Sequence, residues 1–138
     1  MTSGREYIEK LRKSGLRPTK QRLKICKVLF NSDKTFHFTI NDLVKKIGLE
    51  DNQKISLATV YNTVHAFEKK GYLKEIAINS SQTYFDTNTT DHHHFFDENH
   101  KELIDLENED ILPIKIKKTI PGKKIKSVEL HVRVDADN

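Results

Sequence analysis

The sequence predicts an α+β chain, an N-terminal winged helix-turn-helix followed by a small α/β dimerisation domain. Three observations carry that expectation. Apolar residues recur with helical spacing in capped segments up to Gly71, the period then drops to two as in strands, and the charge balance reverses between the two parts of the chain. Residues 1–80 hold 16 Lys+Arg against 8 Asp+Glu, whereas residues 81–138 hold 8 against 12.

The elements follow in order. Residues 7–13 are short and basic, and Gly15 and Pro18 punctuate what comes next. Thr19 is placed to cap a helix running to about Phe30, on which Ile25, Val28 and Leu29 stand at i, i+3, i+4 and Cys26 and Phe30 widen the stripe. Thr39 and Asp42 have capping-box spacing, and Ile40, Leu43, Val44 and Ile47 make a short amphipathic helix expected to stop at Gly48. A polar turn over 49–55 leads to Ser56, the cap of the most regular helix. Its inner stripe is Leu57, Val60, Val64 and Phe67, its outer face Thr59, Asn62, His65, Ala66 and Lys69, with Tyr61 on the border. Gly71 ends it. Tyr72–Ile78 and Thr83–Asp86 then read as two strands around Asn79-Ser80-Ser81-Gln82, a hairpin. Helix, short helix, longer helix and hairpin is the order of a winged helix-turn-helix, whose third helix enters the DNA major groove.

Past Asp86 the polar run Thr87-Asn88-Thr89-Thr90 reads as a hinge, which sets domains of 1–86 and 87–138. Short strands are expected at His92–Phe96 and Leu103–Leu106, then a poorly periodic stretch over Asp110–Lys118, a turn at Pro121-Gly122 and a last strand over Ile125–Val134. A module this small buries too little surface to stand alone, so it is expected to dimerise or dock.

Composition excludes several classes. No run approaches the roughly 18 apolar residues of a spanning helix, and the first residues, Met1-Thr2-Ser3-Gly4-Arg5-Glu6, lead into no signal-peptide core. A soluble cytoplasmic protein with no membrane partner is the expectation. The single cysteine, Cys26, allows neither an internal disulfide nor a Cys-x-x-Cys metal knot within one chain, and its spacing makes it a core residue rather than a reactive thiol.

The chemistry concentrates in His92-His93-His94. On a strand, His92 and His94 share one face and His93 takes the other. Asp86 and Asp105 could add oxygen ligands to the shared face, and such a nitrogen and carboxylate set suits Mn, Fe, Zn or Co. A surface cluster or a metal-free hydrogen-bond network is the competing reading of the triplet. His100 and His131 are read as solvated or packed. Absence of His-Glu-x-x-His, Gly-x-Ser-x-Gly and Gly-rich phosphate loops argues against an enzyme.

The runs Gly15-Leu16-Arg17-Pro18-Thr19-Lys20-Gln21-Arg22, His37-Phe38-Thr39-Ile40, Ser56-Leu57-Ala58-Thr59-Val60-Tyr61-Asn62 and Asp91-His92-His93-His94 together resemble the ferric uptake regulator (Fur) family over nearly the whole chain. The resemblance implies a dimeric, metal-responsive bacterial transcription regulator. Its regulatory metal, a divalent Fe, Mn or Zn, would be held by His37, Asp86, His92, His94 and Asp105. It assigns Tyr61 and Asn62 to base and phosphate contacts on palindromic double-stranded DNA and Arg17 to the minor groove. Thr19, Lys20, Arg22, Ser56 and Thr59 would then position the DNA backbone.

Three departures narrow the likeness. The family's Cys-x-x-Cys motifs for a structural zinc are replaced at the first pair by Asp97 and His100, and the second pair is lacking, so a four-cysteine zinc is not expected. A further family site uses a histidine where Val128 stands. With the triple histidine, these features look most like the iron response regulator (Irr) branch, whose members respond to haem as well as iron. Cys26 precedes Lys27 rather than proline, so haem would fall to His92, His93 and His94. The implied mechanism is a metal that ties the two domains, setting the spacing of paired recognition helices, with haem releasing the tie. The alternatives are a manganese, zinc or peroxide sensor of the same fold, or a metal-dependent enzyme or metal buffer without a DNA function.

Overall fold

The computed structural model describes residues 4–51, 54–79 and 82–137. The chain divides between Thr89 and Thr90 into two compact units, three residues beyond the boundary that the polar hinge sets after Asp86. Residues 52–53 of the expected polar turn, Ser80-Ser81 of the hairpin turn and the leading Met1-Thr2-Ser3 lie outside the described residues.

In the first unit, residues 7–13 turn out to belong to a helix, α1 (Gly4–Lys13), which buries Tyr7 and Leu11, four apart on one face. Glu6 in its first turn and Lys10, Arg12 and Lys13 in its last suit the helix dipole. Helix α2 (Lys20–Phe30) begins where expected: the Thr19 hydroxyl accepts from the Arg22 N–H at 3.2 Å. Ile25, Cys26 and Leu29 face inward. Burial pushes the Cys26 thiol up to about 12, which leaves it protonated and inert.

A two-residue strand, β1 (His37–Phe38), precedes α3 (Ile40–Asp51). The capping box is formed on both sides: the Asp42 N–H donates to Thr39 Oγ1 at 3.1 Å, and the Thr39 N–H to Asp42 Oδ2 at 3.2 Å. The helix continues through Gly48, correcting the expected stop there. A mid-helix glycine costs only about 1 kcal/mol, and buried Leu43 and Ile47 anchor the turns before it.

Helix α4 (Leu57–Lys70) is capped by Ser56, whose hydroxyl accepts from the Thr59 N–H, and ends at Gly71 with φ of 90°. At that φ a Cβ would be strained, and the turn lets Tyr72 N–H reach Phe67 O at 2.9 Å. Val60, Val64 and Phe67 are fully buried. Each contributes roughly 1.5–3 kcal/mol of burial. Leu57, expected on the same stripe, is instead 55% exposed, because the first turn of α4 runs past the core. Strands β2 (Lys74–Asn79) and β3 (Gln82–Asp86) form the wing, and β1 pairs along the other side of β3 to give the order β1-β3-β2. The β1 register sets His37 opposite Asp86 and Phe38 opposite Phe85.

The second unit is a three-stranded sheet of order β5-β4-β6. Strand β4 (His93–Asp97) runs antiparallel to β5 (Glu102–Leu106) and parallel to β6 (His131–Val134). The last strand is therefore shorter than the expected Ile125–Val134. Residues 112–127 are exposed, and Lys alternates with Ile there without a paired strand. Pro121-Gly122 makes the expected turn, closed by Lys123 N–H to Ile120 O at 3.0 Å. The buried apolar residues of this unit are Phe96, Leu103 and Leu106, while Ile116, Ile120 and Ile125 are each at least half exposed. Among the described residues no helix is long and apolar enough to cross a membrane.

Candidate metal ligands and nucleic-acid interface

The first unit brings together two of the five metal ligands that the resemblance implies. His37 and Asp86 are direct cross-strand neighbours on β1 and β3, with ligand atoms within 4.8 Å of each other. Asp86 is 1% exposed, and its Oδ1 accepts from the Asn88 N–H at 2.8 Å, an Asx turn that holds the carboxylate at the strand end. The two-residue strand β1 gives no periodic signal. That is why the residues alone would make His37 a core or capping residue and only the resemblance makes it a ligand.

The second unit brings together the other three. His92 Nε2 and His94 Nε2 each lie 3.4 Å from Asp105 Oδ1, and the two rings are 4.4 Å apart. The β4–β5 register places His94 opposite Asp105. Both histidines are 2% exposed. His92 Nδ1 is 2.7 Å from the Thr90 carbonyl oxygen. A carbonyl only accepts, so Nδ1 carries a proton and the ring turns its Nε2 toward Asp105. A ring N–H bonded to a backbone carbonyl in this way orients metal-binding imidazoles. The donor atoms are imidazole nitrogens and carboxylate oxygens with no thiolate, and they fit a hard or borderline divalent cation.

His93 points to the opposite face, where its Nδ1 accepts from the Leu130 N–H at 2.8 Å. The structure thus gathers His92 and His94 and separates His93 from them. At the positions that resemble a zinc knuckle, the His100 ring donates through Nδ1 to Asp97 Oδ2 at 2.8 Å, and Asp97 Oδ1 accepts from the N–H groups of Asn99 and His100. The pairing holds the His100 pKa above and the Asp97 pKa below their ordinary values, chiefly through that side-chain bond.

The DNA candidates all lie in the first unit. Arg17, Thr19, Lys20, Arg22 and Thr59 line one groove of about 560 Å³ together with Gln21. Arg22 Nη1 donates to the Arg17 backbone carbonyl at 2.9 Å, which ties the Arg22 side chain to the segment before α2. The Ser56 and Thr59 hydroxyls are bonded at 2.7 Å over the first turn of α4. Helix N-termini present N–H groups that suit phosphate. Tyr61, 53% exposed, and Asn62 line a second cleft with Lys13, Lys69 and Lys70. The sequence reading places His65 only on the outer face. It packs on Tyr61 with centroids 4.1 Å apart, and the i, i+4 spacing of two aromatic rings is the signal that could have found it.

Three core helices, a wing and a polar, cation-rimmed helix face define a winged-helix DNA-binding class, here carried with a small histidine-rich sheet unit. Residues 13–133 match the Ferric uptake regulator family, and the chain belongs to it. That family comprises metal-responsive transcription regulators, dimeric DNA-binding proteins without enzymatic activity. The chain is 36% identical over 103 residues to the Peroxide operon regulator of Bacillus subtilis, covering 74% of this chain and 68% of that one. Among solved structures, it is similar to the Ferric uptake regulator from Pseudomonas aeruginosa with manganese, at TM-score 0.66 and 21% identity over 96% of this chain and 98% of that one. It is also similar to the Vibrio cholerae ferric uptake regulator, at TM-score 0.69 and 20% identity over 94% and 98%. Both likenesses bear on the fold.

Proposed function

We propose that the protein is a cytoplasmic repressor whose affinity for a palindromic operator is set by one divalent cation bound by His37, Asp86, His92, His94 and Asp105. The observation that carries this reading is the convergence of His92 Nε2 and His94 Nε2 on one oxygen of Asp105. Two buried imidazoles turned toward a carboxylate, one of them oriented by a backbone carbonyl, make a ligand set that lacks only further donors. His37 and Asp86 supply the remaining nitrogen and oxygen from the first domain. The cation acts as a bond between the DNA-binding domain, residues 1–86, and the dimerisation domain, residues 87–138. As a homodimer the protein presents two copies of α4 to half-sites about one helical turn apart, so a small change in domain orientation alters affinity. Tyr61 and Asn62 contact bases and phosphates, Arg17 reaches the minor groove, and Thr19, Lys20, Arg22, Ser56 and Thr59 hold the backbone.

The identity of the signal rests on the cation. Iron homeostasis of the Irr type, with haem competing for His92 and His94, draws support from the triple histidine and the lack of paired cysteines. The turning away of His93 weighs against haem at all three histidines. The likeness to a peroxide regulator favours a second reading, in which ferrous iron occupies the site and peroxide is the signal.

Equilibrium dialysis and native mass spectrometry test the site. We expect one Mn²⁺ or Fe²⁺ per chain, with binding weakened at least tenfold in Asp86→Ala and in Asp105→Ala. Unchanged binding in both variants would remove the site. For the peroxide reading, anaerobic Fe²⁺ loading followed by peroxide should add one oxygen to the peptide containing His37 or His92. Unmodified peptides would leave a plain divalent-metal or haem response.

A further inference from the structure

Behind the two first-unit ligands lies a contiguous set of rings that leads to the outer face of α4. Phe38 and Phe85 follow and precede His37 and Asp86 on paired strands, and are themselves cross-strand partners with centroids 5.9 Å apart. Phe85, 1% exposed, meets His65 edge-on at 5.5 Å and 85°. His65, half-buried on α4, packs on Tyr61 at 4.1 Å. Every contact is within the first unit. His65 stands one turn along α4 from Tyr61, a base-contact candidate, and its ring touches both Tyr61 and the wing strand's Phe85.

We propose that His65 is a positioning residue, a ring wedged between Phe85 and Tyr61 that fixes Tyr61 against DNA and transmits the occupancy of His37 and Asp86 to it. The proposal rests on the reading of those residues as metal ligands and of Tyr61 as a DNA contact. Its physical basis is steric. Aromatic rings in a packed interior move as discrete bodies, so a shift of the strand end that accompanies ligation displaces Phe85, and His65 then has one direction in which to yield. Tyr61 is exposed and joined to the core through that contact, so its side-chain rotamer follows. Contact alone is not coupling, and the coupling is measurable.

The experiment uses the full-length protein, Zn²⁺ as a diamagnetic probe and a palindromic duplex selected by the wild-type protein from a random pool. DNA affinity with and without Zn²⁺ gives a coupling factor for wild type, His65→Leu and His65→Phe. Zn²⁺ affinity without DNA and the ring resonances of Tyr61 are followed in parallel. In wild type, Zn²⁺ should raise DNA affinity about 5- to 150-fold, the range of typical allosteric coupling, and shift the Tyr61 ring resonances. His65→Leu should bind Zn²⁺ within about threefold of wild type in the absence of DNA, yet lose at least four-fifths of the coupling factor and the Tyr61 response. His65→Phe, which keeps a ring in the wedge, should retain both. A purely structural role for His65 would leave the Tyr61 response intact. Wild-type coupling in His65→Leu would overturn the relay while leaving the metal switch standing. Zn²⁺ binding that leaves wild-type DNA affinity unchanged would overturn both.

Discussion

Asp97 and His100, where the resemblance would place a first pair of cysteines, bond to each other. Their bond closes the turn after β4, where Lys101 takes a positive φ of 55°. The Asp97 pKa is lowered, so its contribution to stability is present above the unfolded value near 3.8 and is lost as pH falls through the lowered native value. The His100 pKa is raised, so its contribution is complete below the unfolded value near 6.5 and is lost as pH rises through the raised native value. The difference in urea stability between wild type and His100→Ala should be largest between about pH 4 and 6.5 and shrink toward pH 9. A difference independent of pH would show the turn to be held by the backbone bonds alone. At the same scale, Cys26 should resist iodoacetamide in the native protein at pH 8 and react in urea, as a thiol held near 12 by burial must. The alternation of the histidine triplet is legible, since period two separates His93 from its neighbours, although β4 covers His93–Asp97 rather than the expected His92–Phe96 and His92 lies just before it. The partner of His93, the Leu130 N–H, was not legible, since it comes from a contact 37 residues away.

Among the elements, side-chain caps and the left-handed Gly71 were readable, whereas the Gly48 stop misled and elements defined by their surroundings were not readable. Thr19, the Thr39–Asp42 box, Ser56 and Gly71 each mark a helix end in the sequence and each makes the expected bond or turn in the structure. Strand β1 has two residues, too few for any period, and exists because β3 offers it an edge. The stretch from Ile125 carries strand-like alternation, but its ladder pairing with β4 covers only His131–Val134, with Leu130 bonded to His93 and His94 just before it. Helix α1 carried a readable signal in Tyr7 and Leu11, weakened by its shortness and its basic last turn. The Ser56 cap serves both folding and DNA, and two substitutions separate these roles. Ser56→Ala should destabilise the protein by about 1 kcal/mol in denaturant titrations. Ser56→Asp should keep the cap and the stability but weaken DNA binding several-fold, because its carboxylate would face phosphate. Equal DNA affinity in Ser56→Asp and wild type would move the first turn of α4 away from the DNA backbone.

For the whole molecule, the two units differ in how well they bury their own residues. The first encloses a core drawn from four helices and the wing, whereas the second leaves Leu112, Ile116, Ile120 and Ile125 exposed. Apolar side chains in such number on one small unit call for a covering surface, and a second copy of the chain supplies it in the proposed homodimer. Sedimentation equilibrium should give a dimer for wild type and a shift toward monomer for the double variant Ile116→Asp, Ile125→Asp. A stable dimer in that variant would place the interface elsewhere. The asymmetric charge predicts that DNA binding falls steeply with salt, log K dropping by about 0.9 per log unit of salt for each phosphate contacted. A flat salt profile would speak against the basic groove at the start of α2. The measurement that tests the central claim most directly is anaerobic fluorescence anisotropy of a labelled operator duplex, titrated with Mn²⁺ or Fe²⁺ against metal-stripped wild type, His37→Ala and Asp105→Ala. The account predicts a metal-driven rise in wild-type affinity of roughly 5- to 150-fold and little or none in either variant. Metal-independent binding by wild type, or a full metal response in both variants, would contradict it.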